Sequence, residues 1–394
     1  MLLPDVHGID PDLAWDEDGT CWVTCAGVSQ VPIDPVTGRT TGPQRATWSG
    51  SPGAQAPEAP HLYRIGEHWY LLISEGGTER GHSVAIARGR TATGPFEPCP
   101  SNPILTHRGT HHPIQNTGHA DLVQGPDGSW WMVLLGVRPG GGTPGWHVLG
   151  RETFLVPVTW ADGWPVVGDL ELTMPDPPWP LRPSGRETGS GATVLDDFDG
   201  PSPGPQWVSL RQRPVDAVST VERPGRLTLH AKGRSLDDLD VTFVGRRQQH
   251  LACRVRALVD AGEGRGGLSL RLDEDHHYDL EVDRGQVEVV ARIGPLRTVV
   301  ATHAVRPGPL VLRIDIDPPQ TAWSPRLGPD TVTLGVEDDG PSGGAVPEFV
   351  PIAALDGKYL STEVAGGFTG RVIGMYALEG AVEFDWFEYV PTGA

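Results

Sequence analysis

Three stretches near the start of the chain repeat one plan: a polar residue, a Leu, a turn containing Gly, and then an aromatic run. The first is Ile9-Asp10-Pro11-Asp12-Leu13-Ala14-Trp15, the turn Asp16-Glu17-Asp18-Gly19, and Cys21-Trp22-Val23. The second is Glu58-Ala59-Pro60-His61-Leu62-Tyr63, the turn Ile65-Gly66-Glu67, and Trp69-Tyr70-Leu71-Leu72-Ile73. The third is His119-Ala120-Asp121-Leu122-Val123, the turn Pro126-Asp127-Gly128, and Trp130-Trp131-Met132-Val133-Leu134-Leu135. The turn glycines fall at 19, 66 and 128, which is 47 and then 62 residues apart. A strand–turn–strand unit recurring every ~40–60 residues is the mark of a β-propeller blade. In such a fold the innermost strands converge on one axis, so the residues that open them share a small funnel. Asp10, Glu58 and His119 open the three units and are expected to meet there, although each could instead only cap a turn.

Past Leu155 the repeat fades into a Trp- and Pro-rich stretch, and Arg186 to Gly191 is rich in Gly and Ser. From 194 onward short strands alternate with period two. They include Arg226-Leu227-Thr228-Leu229-His230, Gly267-Leu268-Ser269-Leu270-Arg271, His277-Tyr278-Asp279-Leu280-Glu281-Val282 and Gln286-Val287-Glu288-Val289-Val290, with others at 310–316, 331–336, 371–377 and 382–389. Alternation of this kind, with turns every 8–15 residues or so, describes an antiparallel sandwich. No long amphipathic helix is visible. The expectation is an all-β chain with a partial propeller of about three blades over 1–171, a linker over 172–193 and a β-sandwich over 194–394.

Charge narrows the partners. The chain carries 31 basic and 50 acidic residues, a net of −19, and no basic stripe offsets it. That field repels nucleic acid and anionic membrane, and no apolar run reaches the ~18–20 residues of a spanning helix. A neutral carbohydrate meets no such penalty, and 13 Trp supply indole faces on which sugar rings can stack. Cys21 and Cys25 sit four apart in one strand, some ~13 Å and too far for a disulfide. All four cysteines are expected as free thiols. The opening residues Met1-Leu2-Leu3-Pro4-Asp5 have neither a basic nor an apolar leader region, so a cytoplasmic protein is expected.

Two carboxyl groups on a rigid all-β frame suit glycoside hydrolysis. One, protonated, gives its proton to the leaving oxygen, while another activates water on the opposite face. The sequence resembles glycoside hydrolase family 43, the β-xylosidase group. The resemblance is carried by Glu58-Ala59-Pro60-His61-Leu62-Tyr63, Tyr70-Leu71-Leu72-Ile73-Ser74-Glu75-Gly76-Gly77-Thr78, Asn102-Pro103-Ile104-Leu105-Thr106-His107 and Thr117-Gly118-His119-Ala120-Asp121-Leu122. It continues through Leu149-Gly150-Arg151-Glu152-Thr153-Phe154, Val158-Thr159-Trp160-Ala161-Asp162-Gly163-Trp164-Pro165, Leu195-Asp196-Asp197-Phe198 and Phe384-Asp385-Trp386-Phe387-Glu388-Tyr389. It implies a five-bladed propeller followed by a concanavalin-like sandwich, acting by inversion on xylo-oligosaccharides or arabinosides. By the same resemblance Glu58 is the general acid and Asp10 the carboxylate that tunes and orients it. His119 lines the axis, Arg151 hydrogen-bonds the innermost sugar, and Phe368 in Gly366-Gly367-Phe368-Thr369-Gly370 closes the pocket.

The sequence departs from the family at one point. The family's general base is an Asp in a first blade well ahead of Asp10, and here only nine residues precede Asp10. Asp5 stands in no comparable setting and is not given that role. The expectation is therefore an N-terminally truncated family member, with a vestigial carbohydrate-binding relative as the alternative. No cofactor is implied, though His119 could hold a water or a cation at the axis. A homo-oligomer is compatible with the sequence.

Other suggestive groups are expected to be plain structure. His111-His112 and His276-His277 are adjacent, and neighbours on a strand point to opposite faces, so neither pair is expected to share a metal and both are read as loop histidines. Asp16-Glu17-Asp18-Gly19 lacks the later ligands of a calcium loop. Asp237-Asp238 and Asp273-Glu274-Asp275 are expected as solvated loop charge.

Overall fold

The computed structural model describes residues 6–173, 193–320, 324–338 and 348–393. The linker expected at 172–193 falls almost wholly outside them. The chain divides into two compact units: Met1–Arg138 with Arg151–Arg182, and Pro139–Gly150 with Pro183–Ala394. No helix among the described residues is long and apolar enough to cross a membrane.

The first unit contains three antiparallel sheets among its described residues. The first runs β1 (Asp12–Trp15), β2 (Cys21–Cys25), β3 (Ser29–Asp34) and β4 (Arg39–Thr40), with β5 (Arg45–Ala46) also on β3. The second runs β6 (Glu58–Ile65), β7 (His68–Glu75), β8 (Ser83–Gly89) and β9 (Glu97–Pro98). The third runs β10 (Gln115–Gln124), β11 (Trp130–Val137), β12 (Glu152–Ala161) and β13 (Trp164–Val167). Each repeat of the sequence is thus the opening hairpin of one sheet. The repeat's Leu lies opposite an apolar residue of the next strand: Leu13 opposite Val23, Leu62 opposite Leu71, Leu122 opposite Met132. Leu62 and Leu122 are buried, whereas Leu13 is half-exposed.

The innermost strands are stitched to one another by side chains. Asp12 Oδ2 accepts from the Leu62 amide at 2.9 Å. The Tyr63 hydroxyl donates to Asp121 and accepts from the Leu122 amide at 2.9 Å. Each contact satisfies a backbone or hydroxyl group that would otherwise be stranded between sheets. The acid-rich turn Asp16–Gly19 spends its carboxylates on Thr20, Trp22 and Trp69. All four cysteines are free and buried.

In the second unit an eight-stranded and a seven-stranded antiparallel sheet bury one common core. Val255, Leu312, Ile314 and Phe384 face it from one sheet, and Leu268, Leu280, Val289 and Met375 from the other. Below it lies a fully buried ion pair. Arg371 Nη1 donates to Asp330 Oδ2 at 2.7 Å and Nη2 to Oδ1 at 3.1 Å. The guanidinium also donates to the carbonyls of Gly357 and Leu360. Gly357 is required here, because a Cβ at that position would lie 1.6 Å from Asp330 Oδ1. Segment Pro139–Gly150, between β11 and β12 in the chain, is part of this unit: Arg371 donates its amide to Val148 and His147 donates to Glu363 at 2.6 Å.

Two expectations are corrected. His276-His277 opens the strand His276–Asp283, and His277 is buried rather than in a loop. Its Nδ1 lies 2.8 Å from Asp279 Oδ2 and its Nε2 3.1 Å from Asp237 Oδ1. Nor are the acidic loops merely solvated, since Asp237 also meets Arg292, and Glu274 pairs with Arg271 and Arg211. Buried sheet positions need neutralised charge, and these loops supply it.

Burial disfavours a charged His277, but Asp279 and Asp237 outweigh it and its pKa stands above the ordinary value. The resulting stability is full below about pH 6.5, the unfolded value, and is lost as pH rises through the folded one. Thermal melting followed upward from that pH should fall by several degrees, and Asp279→Asn should flatten the dependence. Asp330→Ala, which leaves Arg371 buried and uncompensated, should cost about 3–5 kcal/mol in chemical denaturation.

Candidate active site

The first strands of the three sheets enter by the same backbone device. Asp10, Ala59 and His119 all adopt left-handed backbone, with φ of 53°, 46° and 50°. Such residues cost about 1–2 kcal/mol each, which the surrounding pairing must hold in place. The pairing registers of β6 and β10 shift at these points, so each strand carries a bulge that re-aims its leading side chain. The true repeat equivalents are therefore Asp10, Ala59 and His119, and Glu58 stands one residue ahead. Proline follows both Asp10 and Ala59, consistent with that alignment.

The three expected residues come together despite the offset. One donor atom from each of Asp10, Glu58 and His119 lies within 4.8 Å of the others, all of them half-buried. His119 Nε2 is 3.8 Å from Asp10 Oδ2, and that oxygen accepts the Ala59 amide at 3.2 Å. The His119 amide in turn donates to Ser74 Oγ at 2.6 Å. A trio of this size could hold a cation, but nothing in its geometry favours one over a proton and a sugar, and we assign it no metal.

Arg151 joins the group through the second sheet. Its guanidinium donates to the Thr78 hydroxyl. Burial lowers its pKa, and the charges of Glu58 and Asp10 act against that fall. Glu152 accepts from Nε and Nη2 of Arg138, at 2.9 and 2.8 Å. Phe368 lies in the second unit, in the Gly-rich turn after the short helix Thr362–Ala365, and is half-exposed.

Sequence reasoning missed His82, Ser74, Thr78 and Asn116. His82 is wholly buried, with Nδ1 3.0 Å from the Asn116 carbonyl and Nε2 3.6 Å from Glu58 Oε1. Burial drives its pKa down to about 4, so the ring is neutral and the contact with Glu58 is not an ion pair. Ser74 and Thr78 lay within a quoted motif, but nothing marked their side chains as site-directed.

Two family models divide the chain. Residues 1–165 match glycosyl hydrolases family 43, and residues 195–390 match the beta xylosidase C-terminal concanavalin A-like domain. The chain belongs to glycoside hydrolase family 43. It is similar to a non-reducing end alpha-L-arabinofuranosidase of Bacteroides ovatus, at 35% identity over 91% of this chain and 66% of that protein. Among solved structures it is similar to a family 43 protein of Bacillus licheniformis, with a TM-score of 0.85 and 28% identity over 99% of this chain and 76% of the other. A xylan beta-1,4-xylosidase from Bacillus halodurans gives 0.82 and 27% identity, over 97% and 76%. The chain thus spans about two thirds to three quarters of the length of these family 43 relatives.

The candidate site contains one close approach. A Cβ at Gly118 would lie 2.2 Å from the His82 ring, closer than any real contact. Gly118→Ala should displace that ring and destabilise the first unit by about 1–3 kcal/mol, which denaturant titration will read directly.

Proposed function

We propose that this chain is a glycosidase that hydrolyses the O-glycosyl bonds of short xylo-oligosaccharides or arabinosides with inversion. The observation that carries the reading is the meeting of Glu58 with Asp10 and His119 from three different sheets, with the Arg151 charge beside them. In this reading protonated Glu58 gives its proton to the glycosidic oxygen as the bond to the anomeric carbon breaks. Water adds to that carbon from the other face and loses a proton. Asp10, tied to the Ala59 amide, orients the acid and balances charge beside it. His119 lines the hollow and Arg151 donates hydrogen bonds to sugar hydroxyls. The carboxylate that activates the water is assigned to no residue of this chain.

Hydrolysis of xylobiose and of an activated aryl β-xyloside, followed by proton NMR, tests the reading. The α-anomer of xylose should appear first, because inversion at a β-linked carbon produces it. Glu58→Gln should lower turnover of xylobiose by about 10²–10⁴-fold. Calorimetric binding of xylobiose without any release of xylose would instead support the carbohydrate-binding alternative.

A further inference from the structure

One buried nitrogen beside the acid has no hydrogen-bond partner among the described residues: Nε2 of His82. The ring's orientation is fixed from its other side. Nδ1 lies 3.0 Å from the Asn116 carbonyl, which can only accept, so Nδ1 carries the proton. Nε2 is left as a bare lone pair, 3.6 Å from Glu58 Oε1. Gly118 packs beside the ring with no room for a side chain, since a Cβ there would lie 2.2 Å from it. Burial keeps the ring neutral, with His119 and Arg151 adding to the effect and the Asn116 carbonyl opposing it. Among the described residues the ring of His119, at 6.1 Å, and the Arg151 guanidinium act on the His82 ring, and the Asp10 carboxylate stands within 4.8 Å of both Glu58 and His119.

A lone pair facing a carboxyl oxygen has one favourable partner, the oxygen that bears the proton. We propose that His82 is a positioning residue for the general acid, its neutral Nε2 accepting the proton-bearing oxygen of Glu58 while the site is empty. This rests on the assignment of Glu58 made above. The distance exceeds a hydrogen bond by some ~0.4 Å, a gap typical of ligand-free catalytic contacts, and the terminal carboxyl torsion is soft enough to close it. When a glycosidic oxygen arrives it replaces Nε2 as the acceptor, and the same proton passes to the leaving group. The carboxylate then left facing the lone pair is repelled until it takes a proton back from solvent. An imidazolium at this place would do the opposite and hold the acid as its anion.

Two measurements on the full chain decide it. With ¹⁵N-labelled histidine, the Nε2 resonance of His82 should be that of an unprotonated ring nitrogen at neutral pH, and should shift in Glu58→Ala. A protonated Nε2, or one indifferent to Glu58→Ala, overturns the proposal. Kinetically, His82→Leu is compared with wild type on xylobiose, whose leaving group needs a proton, and on 2,4-dinitrophenyl xyloside, whose leaving group does not. The ratio of kcat/KM for the second substrate over the first should rise about tenfold, the loss of one hydrogen bond. Equal losses on both substrates, with melting unchanged, would mean that His82 only packs, and the proposal fails. If wild type cleaves neither substrate, it is the glycosidase reading that falls, and the nitrogen resonance alone decides the role of His82.

Discussion

The first unit depends on polar stitches between the innermost strands of adjacent sheets. Apolar packing between sheets has by itself no directional preference. Asp12 on the Leu62 amide, Tyr63 on Asp121 and Leu122, and Asp10 on the Ala59 amide give that packing a register. The same stitches hold the left-handed residues that aim Asp10, Glu58 and His119 inward. Site and scaffold therefore share one set of hydrogen bonds, to which the loop between β7 and β8 adds Thr78 and His82.

Much of this could be read from residues, and what could not has a physical cause. The opening hairpins are legible because a Gly turn followed by aromatic residues has few other uses. The outer strands are harder. Ser83–Gly89 is buried on nearly every residue and so shows no alternation, while Pro32 and Pro157 interrupt β3 and β12. In the sandwich, Leu310–Asp317 alternates half-buried and buried residues from Val311 to Ile316 and is legible for that reason, whereas Cys253–Asp260 alternates as cleanly and is not among the expected strands. Strand Glu348–Asp356, with Pro351 inside it, is less apparent.

The site divides in the same way. Asp10, Glu58, His119 and Arg151 stand in motifs, and their meeting follows from the repeat. The one-residue offset of Glu58 was also in the sequence, since Leu62 lies four residues beyond it while Leu13 and Leu122 lie three beyond theirs. His82 was beyond reach: what orients its ring is the Asn116 carbonyl, a backbone group that no side-chain pattern reveals. His277 and Arg371 make the same point for the sandwich, where the partners of buried charge come from distant loops.

The stretch Pro139–Gly150 has a bearing on how such a protein can be remodelled. The sandwich is not strung on as a bead behind the sheets, because twelve of its residues are spelled out between two strands of the third one. Val148 and His147, which meet Arg371 and Glu363, come from that inserted passage. A graft joined only at the interdomain linker would leave these anchors behind in the donor. Any exchange of sandwiches between relatives must therefore carry a matching internal loop as well as the tail, and natural recombination at a single junction meets the same obstacle.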